Sequence, residues 1–235
     1  MTETRKPGDE LAEDFLGFAR REVVTARDLV LRPSTVLRAW MEAGPEGGGA
    51  YARPLRLYFG LNAILMLILF LQGGAGFILE GMPPAVMDPL IEQSGKSRDA
   101  FIADGDGWMT LVMVPLLSAF YAFASAPLLR LWDKEDLGWR RGFRASFGWL
   151  CAWTVLMLPL SWWGYGTGPQ AAMVSVAIML LGIVAFVRMG HGRWFRSRIV
   201  GVFKGVGLML AVQIAAAIGG VLVGMVGVAG ALISP

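Results

Sequence analysis

Four long stretches of this chain contain no Asp, Glu, Lys or Arg: Leu57 to Leu79, Gly107 to Leu129, Ala145 to Val187, and Gly205 to Pro235. No other feature restricts the fold so severely. In a bilayer core each backbone polar group must be satisfied by the protein itself, which only helices and closed barrels achieve. A crossing helix needs about 20 apolar residues. The first two windows fit one crossing each. The third is roughly twice that length and is broken by Gly164-Tyr165-Gly166-Thr167-Gly168-Pro169, with Pro169 suited to the first position of a new helix. The fourth is one long crossing. The expected fold is an all-α polytopic bundle of five transmembrane helices, at about 55–79, 108–130, 145–163, 169–188 and 204–233. These lie in a transmembrane domain over 54–235, preceded by an amphipathic N-terminal region over 1–53.

Composition agrees: 17% of residues are charged, against about a quarter in a soluble domain. No apolar core precedes Leu57, so no cleaved leader is expected and the first span should persist as an anchor. The single cysteine, Cys151, excludes an intrachain disulfide and is expected to be a small buried apolar residue.

The basic residues alternate between connections. The first loop carries Glu80, Asp88, Glu92, Asp99, Asp104 and Asp106 against Lys96 and Arg98. The second holds Arg130, Lys134, Arg140, Arg141 and Arg144, the third none, and the fourth Arg188, Arg193, Arg196, Arg198 and Lys204. By the positive-inside rule, the N-terminus and loops two and four are cytoplasmic and the C-terminus is extracytoplasmic, which requires an odd number of spans. A bacterial inner membrane is the expected location. Trp108, Trp132, Trp162, Trp163 and Tyr165 sit where headgroup-level aromatics belong. Trp149 and Trp153, four apart, share a helix face and either line a cavity or pack on a neighbour.

From Glu10 to Val30 the positions Leu11, Phe15, Phe18, Ala19, Val23, Ala26, Leu29 and Val30 recur at helical spacing, predicting an amphipathic helix that Arg32-Pro33 ends. Ser34 is expected to cap a second helix running to about Ala43. Their apolar faces suit the lipid interface, the ends of the spans or a docking surface for a soluble partner. Arg20, Arg21, Arg38, Arg53, Arg56, Arg193, Arg196 and Arg198 are the candidate contacts for anionic lipid.

Ala216, Gly220 and Gly224 form a small-residue stripe suited to close helix packing. Asn62 and Gln213 are positioned to hydrogen-bond between spans one and five. Asp104-Gly105-Asp106-Gly107 resembles part of a calcium loop but lacks its third ligand position and distal Glu, so a solvated turn into Trp108 is expected. Asp133, Glu135 and Asp136 alternate with Lys134 ahead of Arg140 and Arg141, a pattern of a salt-bridged loop.

Chemistry-bearing constellations are sparse. The spans hold no ionisable residue of the kind that marks ion or proton pathways. The one histidine, His191, and the distant Cys151 make no usual metal set, and phosphate-binding glycine loops are absent. No catalytic residue, metal or cofactor is expected.

The run from Leu29 to Gly44, followed by Tyr51 to Phe70, resembles the start of an uncharacterised bacterial multi-span membrane-protein family. The matching residues are Arg32, Pro33, Tyr51, Pro54, Leu55, Arg56, Leu57 and Tyr58, with Val112 to Trp132 resembling that family's second span. The link over Gly44 to Ala50 departs from it, being glycine-rich where the family has a basic pair. The overall plan is also similar to the Yip (Ypt/Rab-interacting) membrane fold, which implies trafficking or membrane shaping without catalysis. The reading is a non-catalytic inner-membrane protein that organises lipid or anchors and regulates a partner. The alternative is a small oligomeric transporter or channel for a neutral solute or lipid. Expected partners are membrane lipids and a protein partner or a second copy, not nucleic acid.

Overall fold

A computed structural model describes residues 20–42, 50–135, 138–165 and 168–234. They form nine helices: α1 (Arg20–Leu31), α2 (Pro33–Glu42), α3 (Pro54–Leu71), α4 (Phe77–Glu80), α5 (Pro84–Ser94), α6 (Arg98–Trp132), α7 (Trp139–Gly164), α8 (Pro169–Gly190) and α9 (Arg198–Ile233). Among the described residues there is no strand beyond an isolated bridge between His191 and Phe195. Helices α3, α6, α7, α8 and α9 are each long and apolar enough to cross a membrane. The expected all-α bundle of five spans is therefore present.

The span boundaries depart from expectation in informative ways. The first crossing stops at Leu71 rather than Leu79. Gly73 and Gly74 adopt φ of 95° and 87°, a left-handed geometry that ends a helix without Cβ strain. The Gly74 amide then donates to Leu69 O at 3.0 Å. The second crossing begins ten positions early, at Arg98, so Asp104 to Gly107 lies inside a helix and is neither a solvated turn nor a calcium loop. Its carboxylates are engaged elsewhere: Asp104 pairs with Lys96 at 2.5 Å, and Asp106 accepts from the Ala75 amide at 2.5 Å and the Thr110 hydroxyl at 3.0 Å. At 35 residues α6 extends about 52 Å, well beyond a hydrocarbon core of about 30 Å. Its first turns lie beside the last turns of α9, where Trp108 meets Gly230. Lys96 joins them, donating to Ala231 O and Ser234 O at 2.9 and 2.8 Å.

Helices α6 and α9 run antiparallel in close contact, but not through Ala216 and Gly220. A Cβ on Gly220 would meet nothing within 4 Å, and Ala216 is only half-buried. The contact face lies one residue round the helix, at Gly219, Gly227 and Gly230, against Leu117, Met109 and Trp108. Gly224 is buried, against Met82 and Ile78 of the segment that includes α4. Of the expected stripe only Gly224 is packed, because several parallel rows of small residues run along α9 and spacing alone does not say which one faces protein.

Helix α7 is the hub, touching α1, α2, α3, α6 and α8. Its most apolar window is 50% buried, the highest of the five, yet has the lowest mean hydropathy, 1.3. A helix surrounded by protein can carry small and polar residues that lipid would reject. Trp149 and Trp153 stack at 5.4 Å and donate to Gly182 O and Ile178 O of α8. The pair packs on its neighbour, and Trp153 also lines a cavity. Cys151 is fully buried, its thiol 3.3 Å from Pro54 O.

Asn62 and Gln213 do not meet. Asn62 is buried and bonds Tyr58 one turn earlier, whereas Gln213 is exposed on α9 and has no hydrogen bond among the described residues.

Candidate functional site

The bundle end that carries the basic loops is covered by α1 and α2. The buried face of α1 is polar: Glu22, Thr25 and Asp28 are at most 3% exposed, while Val23 and Leu31 are more than 60% exposed. The expected apolar face, Val23, Ala26, Leu29 and Val30, is therefore turned partly outward, with Leu29 alone fully buried. Leu11, Phe15 and Phe18 lie outside the described residues, as does most of the glycine-rich link. Helix α2 begins at Pro33 itself, so Ser34 lies within the helix and does not precede it as a cap.

The reason α1 turns its polar face inward is the strand-like entry to α3. Ala52 presents both its amide and its carbonyl to this layer. The amide donates to Thr25 Oγ1 at 2.9 Å, and the carbonyl accepts from Trp40 Nε1 at 2.8 Å. Buried backbone polar groups require such partners. Thr25 completes the relay by donating to Arg21 O at 2.6 Å. Asp28 accepts from Arg27 at 3.0 Å and from the Tyr51 hydroxyl at 3.1 Å, with Arg32 at 3.5 Å. Burial pushes the Asp28 carboxyl up, but the bonds from Arg27 and Tyr51 and the charges of Arg27 and Arg32 outweigh it and hold it below its ordinary value. Burial and the same carboxylate push the Tyr51 phenol up. Glu22 Oε1 pairs with Arg56 at 2.9 Å, while Oε2 is buried without a hydrogen bond among the described residues. Trp40 lies against Gly148 of α7, where a side chain would strike its ring.

Six residues of the family-like motif thus converge at this latch or beside it. Arg32 and Tyr51 share Asp28, Pro33 opens α2, Pro54 opens α3, Arg56 holds Glu22, and Tyr58 donates to Ser118 O at 3.3 Å. Glu22, Thr25 and Asp28 were missed as site residues. Their spacing of three was the available signal, but a polar helical stripe reads equally well as a solvated face.

The two basic loops are tied to each other. Asp133, whose side chain is fully buried, accepts from Arg193 at 2.6 Å and from Trp194 Nε1 at 3.2 Å. Glu135 pairs with Arg193 at 3.2 Å and Arg141 at 3.9 Å, and Lys134 donates to Gly192 O. The salt-bridged loop is present, and it bridges to the neighbouring loop as well as within itself. Asp136 lies outside the described residues.

Of the candidate lipid contacts, Arg193 and Arg56 are therefore engaged by carboxylates of the protein. Arg20, Arg21, Arg38, Arg196 and Arg198 are exposed and form no ion pair among the described residues. Arg53 is exposed at the entry to α3. A cavity of about 300 Å³ lies between α2 and these loops, lined by Arg38, Lys134 and Arg193 opposite Glu42, Asp133 and Glu135. Its opposed charges offset one another, so it does not favour an anion. His191 is exposed at its edge, its ring 5.9 Å from Phe195.

A second cavity, of about 240 Å³, lies at span level among α3, α6, α7, α8 and α9. Its walls are mainly apolar, with Ser118, Tyr121, Tyr165 and Gln213 among them. Among the described residues no group of three His, Cys, Asp or Glu side chains is placed to hold a metal. No protein-family model matches the chain, and neither the curated proteins nor the solved structures contain a match.

Proposed function

We propose that this is a non-catalytic integral protein of a bacterial inner membrane that organises lipid or anchors a partner through a cytoplasmic layer, a plan similar to the Yip proteins. Loops two and four and α1–α2 face the cytoplasm, and the end of α9 faces outward, in accord with the distribution of Arg and Lys. The observation that carries the reading is the division of charge at this face. Glu22 holds Arg56, Asp28 holds Arg32 and Asp133 holds Arg193, leaving Arg20, Arg21, Arg38, Arg196 and Arg198 directed to solvent. A fixed platform with a basic rim suits acidic headgroups or an acidic partner surface. The test is purification in mild detergent, with bound lipids and proteins identified, for the wild type and an Arg38→Glu, Arg196→Glu, Arg198→Glu variant. The variant should lose anionic lipid or an acidic partner. Identical co-purifying species in both would refute the role of the rim. The second reading, carriage of a neutral solute or lipid, is favoured by the uncharged cavity at span level.

A further inference from the structure

The span-level cavity has a chemistry distinct from that of the basic face. Its lining contains no Asp, Glu, Lys, Arg or His. It does contain polar groups, and they divide into two kinds. Ser161 and Ser175 donate to the carbonyls of Met157 and Ala171 in their own helices, and Trp153 Nε1 to Ile178 O. The Ser118 side chain is bonded to Tyr58, whereas the hydroxyls of Tyr121 and Tyr165 and the amide of Gln213 make no hydrogen bond among the described residues. Donors without partners at membrane depth are costly, and here three border one cavity.

The cavity is also open to the bilayer. Helices α8 and α9 touch through Gly182 with Met209 and Gly205 with Ile183. Further toward the outward end, the cavity lies between Ser175 on α8 and Gln213 on α9, both exposed. At that end it reaches Gly164 and Tyr165, beside the half-exposed Trp162 and Trp163, a headgroup-level arrangement. Side chains on a helix lean toward its N-terminus, so Tyr121 on α6 leans toward this same end. At about 240 Å³ the space exceeds the engineered cavity of about 150 Å³ that accepts benzene.

We propose that this cleft is a lateral binding site for one acyl-ester arm of a glycerolipid. The ester carbonyl accepts from Tyr165, Tyr121 and Gln213, and the chain runs between α8 and α9 against Met113 and Met157. The headgroup stays at the interface, which is why the lining needs no charge. An ester oxygen is an acceptor without a proton, and it complements unpartnered hydroxyl and amide donors. The depth of Tyr165 at the end of α7 matches the level of glycerol esters better than a ligand confined to the bilayer centre. The inference does not depend on the basic rim, so its failure would leave that reading standing.

The experiment uses the full chain in nanodiscs containing a glycerolipid with a photoreactive group in one ester-linked chain, compared with its ether-linked analogue, which lacks the carbonyl. Labelled residues are mapped by mass spectrometry. Labelling by the ester probe should concentrate on Met113, Met157 and Val212 and exceed that by the ether probe about tenfold, as one to two hydrogen bonds would give. A Tyr121→Phe, Gln213→Leu variant, with similar side-chain volumes, should remove most of that preference while keeping its elution profile. Labelling spread evenly over lipid-facing positions such as Phe59 and Leu131 would overturn the site. Equal labelling by ester and ether probes would overturn carbonyl recognition. Stronger displacement of the probe by a short-chain quinone than by a diacylglycerol would overturn the ester assignment.

Discussion

Replacing Gly105 by Leu and Gly220 by Leu makes the same chemical change in two long helices, and the structure gives the two opposite signs. A Cβ on Gly105 would lie 2.5 Å from a methyl of Leu79 and 3.1 Å from the Gly227 carbonyl oxygen. The methyl can turn away. The carbonyl cannot, because Gly227 lies within α9, itself pressed against Met109. Helices α6 and α9 must separate locally, and such overpacking costs about 1–3 kcal/mol. A Cβ on Gly220 meets nothing within 4 Å, and removing glycine from a helix interior gains up to about 1 kcal/mol. The two variants should differ by roughly 2–4 kcal/mol. At about 2–4 °C per kcal/mol for a chain of this size, their melting temperatures should lie about 10 °C apart. Thermal unfolding in detergent, followed by size-exclusion profile, measures this. Equal melting temperatures, or a greater loss in Gly220→Leu, would refute the assigned packing face.

Three further outcomes follow from the basic end and the span count. Thr25→Val leaves the Ala52 amide without its acceptor and should cost about 1–3 kcal/mol, seen as faster hydrogen exchange at Ala52 and easier proteolysis of α1. The latch should also be bounded by pH. Asp28 is held below its ordinary value, so its contribution is present above the unfolded value and is lost as pH falls through the folded one. Tyr51 is held above its ordinary value, so its contribution is present below the unfolded value and is lost as pH rises through the folded one. Protease resistance of α1 should be flat between about pH 4 and pH 10 and fall outside that window. Finally, a reporter fused after Pro235 should be extracytoplasmic and one inserted beside Arg196 cytoplasmic, and a cytoplasmic C-terminal reporter would overturn the five-span topology.

The class of fold was readable from charge-free length and one glycine-proline break. A bilayer core leaves the backbone little choice beyond helices and closed barrels, so four long charge-free stretches, one of them broken by Gly164 to Pro169, specify five helices wherever their side chains point. Helix punctuation was legible at Pro169, which opens α8 as its ring geometry dictates, whereas Pro33, read as a terminator, opens α2 as well. Rotation about a helix axis was not legible. In a soluble helix the apolar stripe marks the buried face. In α9 every face is apolar, and only the fit of Gly219, Gly227 and Gly230 against α6 chooses one. The same reason explains α1, whose polar stripe turns inward because Ala52 and Arg56, distant in sequence, supply its partners. Asn62 and Gln213 were visible as polar residues in apolar helices, but whether they pair depends on which helices are neighbours, and α7 occupies the centre. The span-level cleft belongs entirely to tertiary structure, for it is space left where packed helices diverge, and no single segment encodes it.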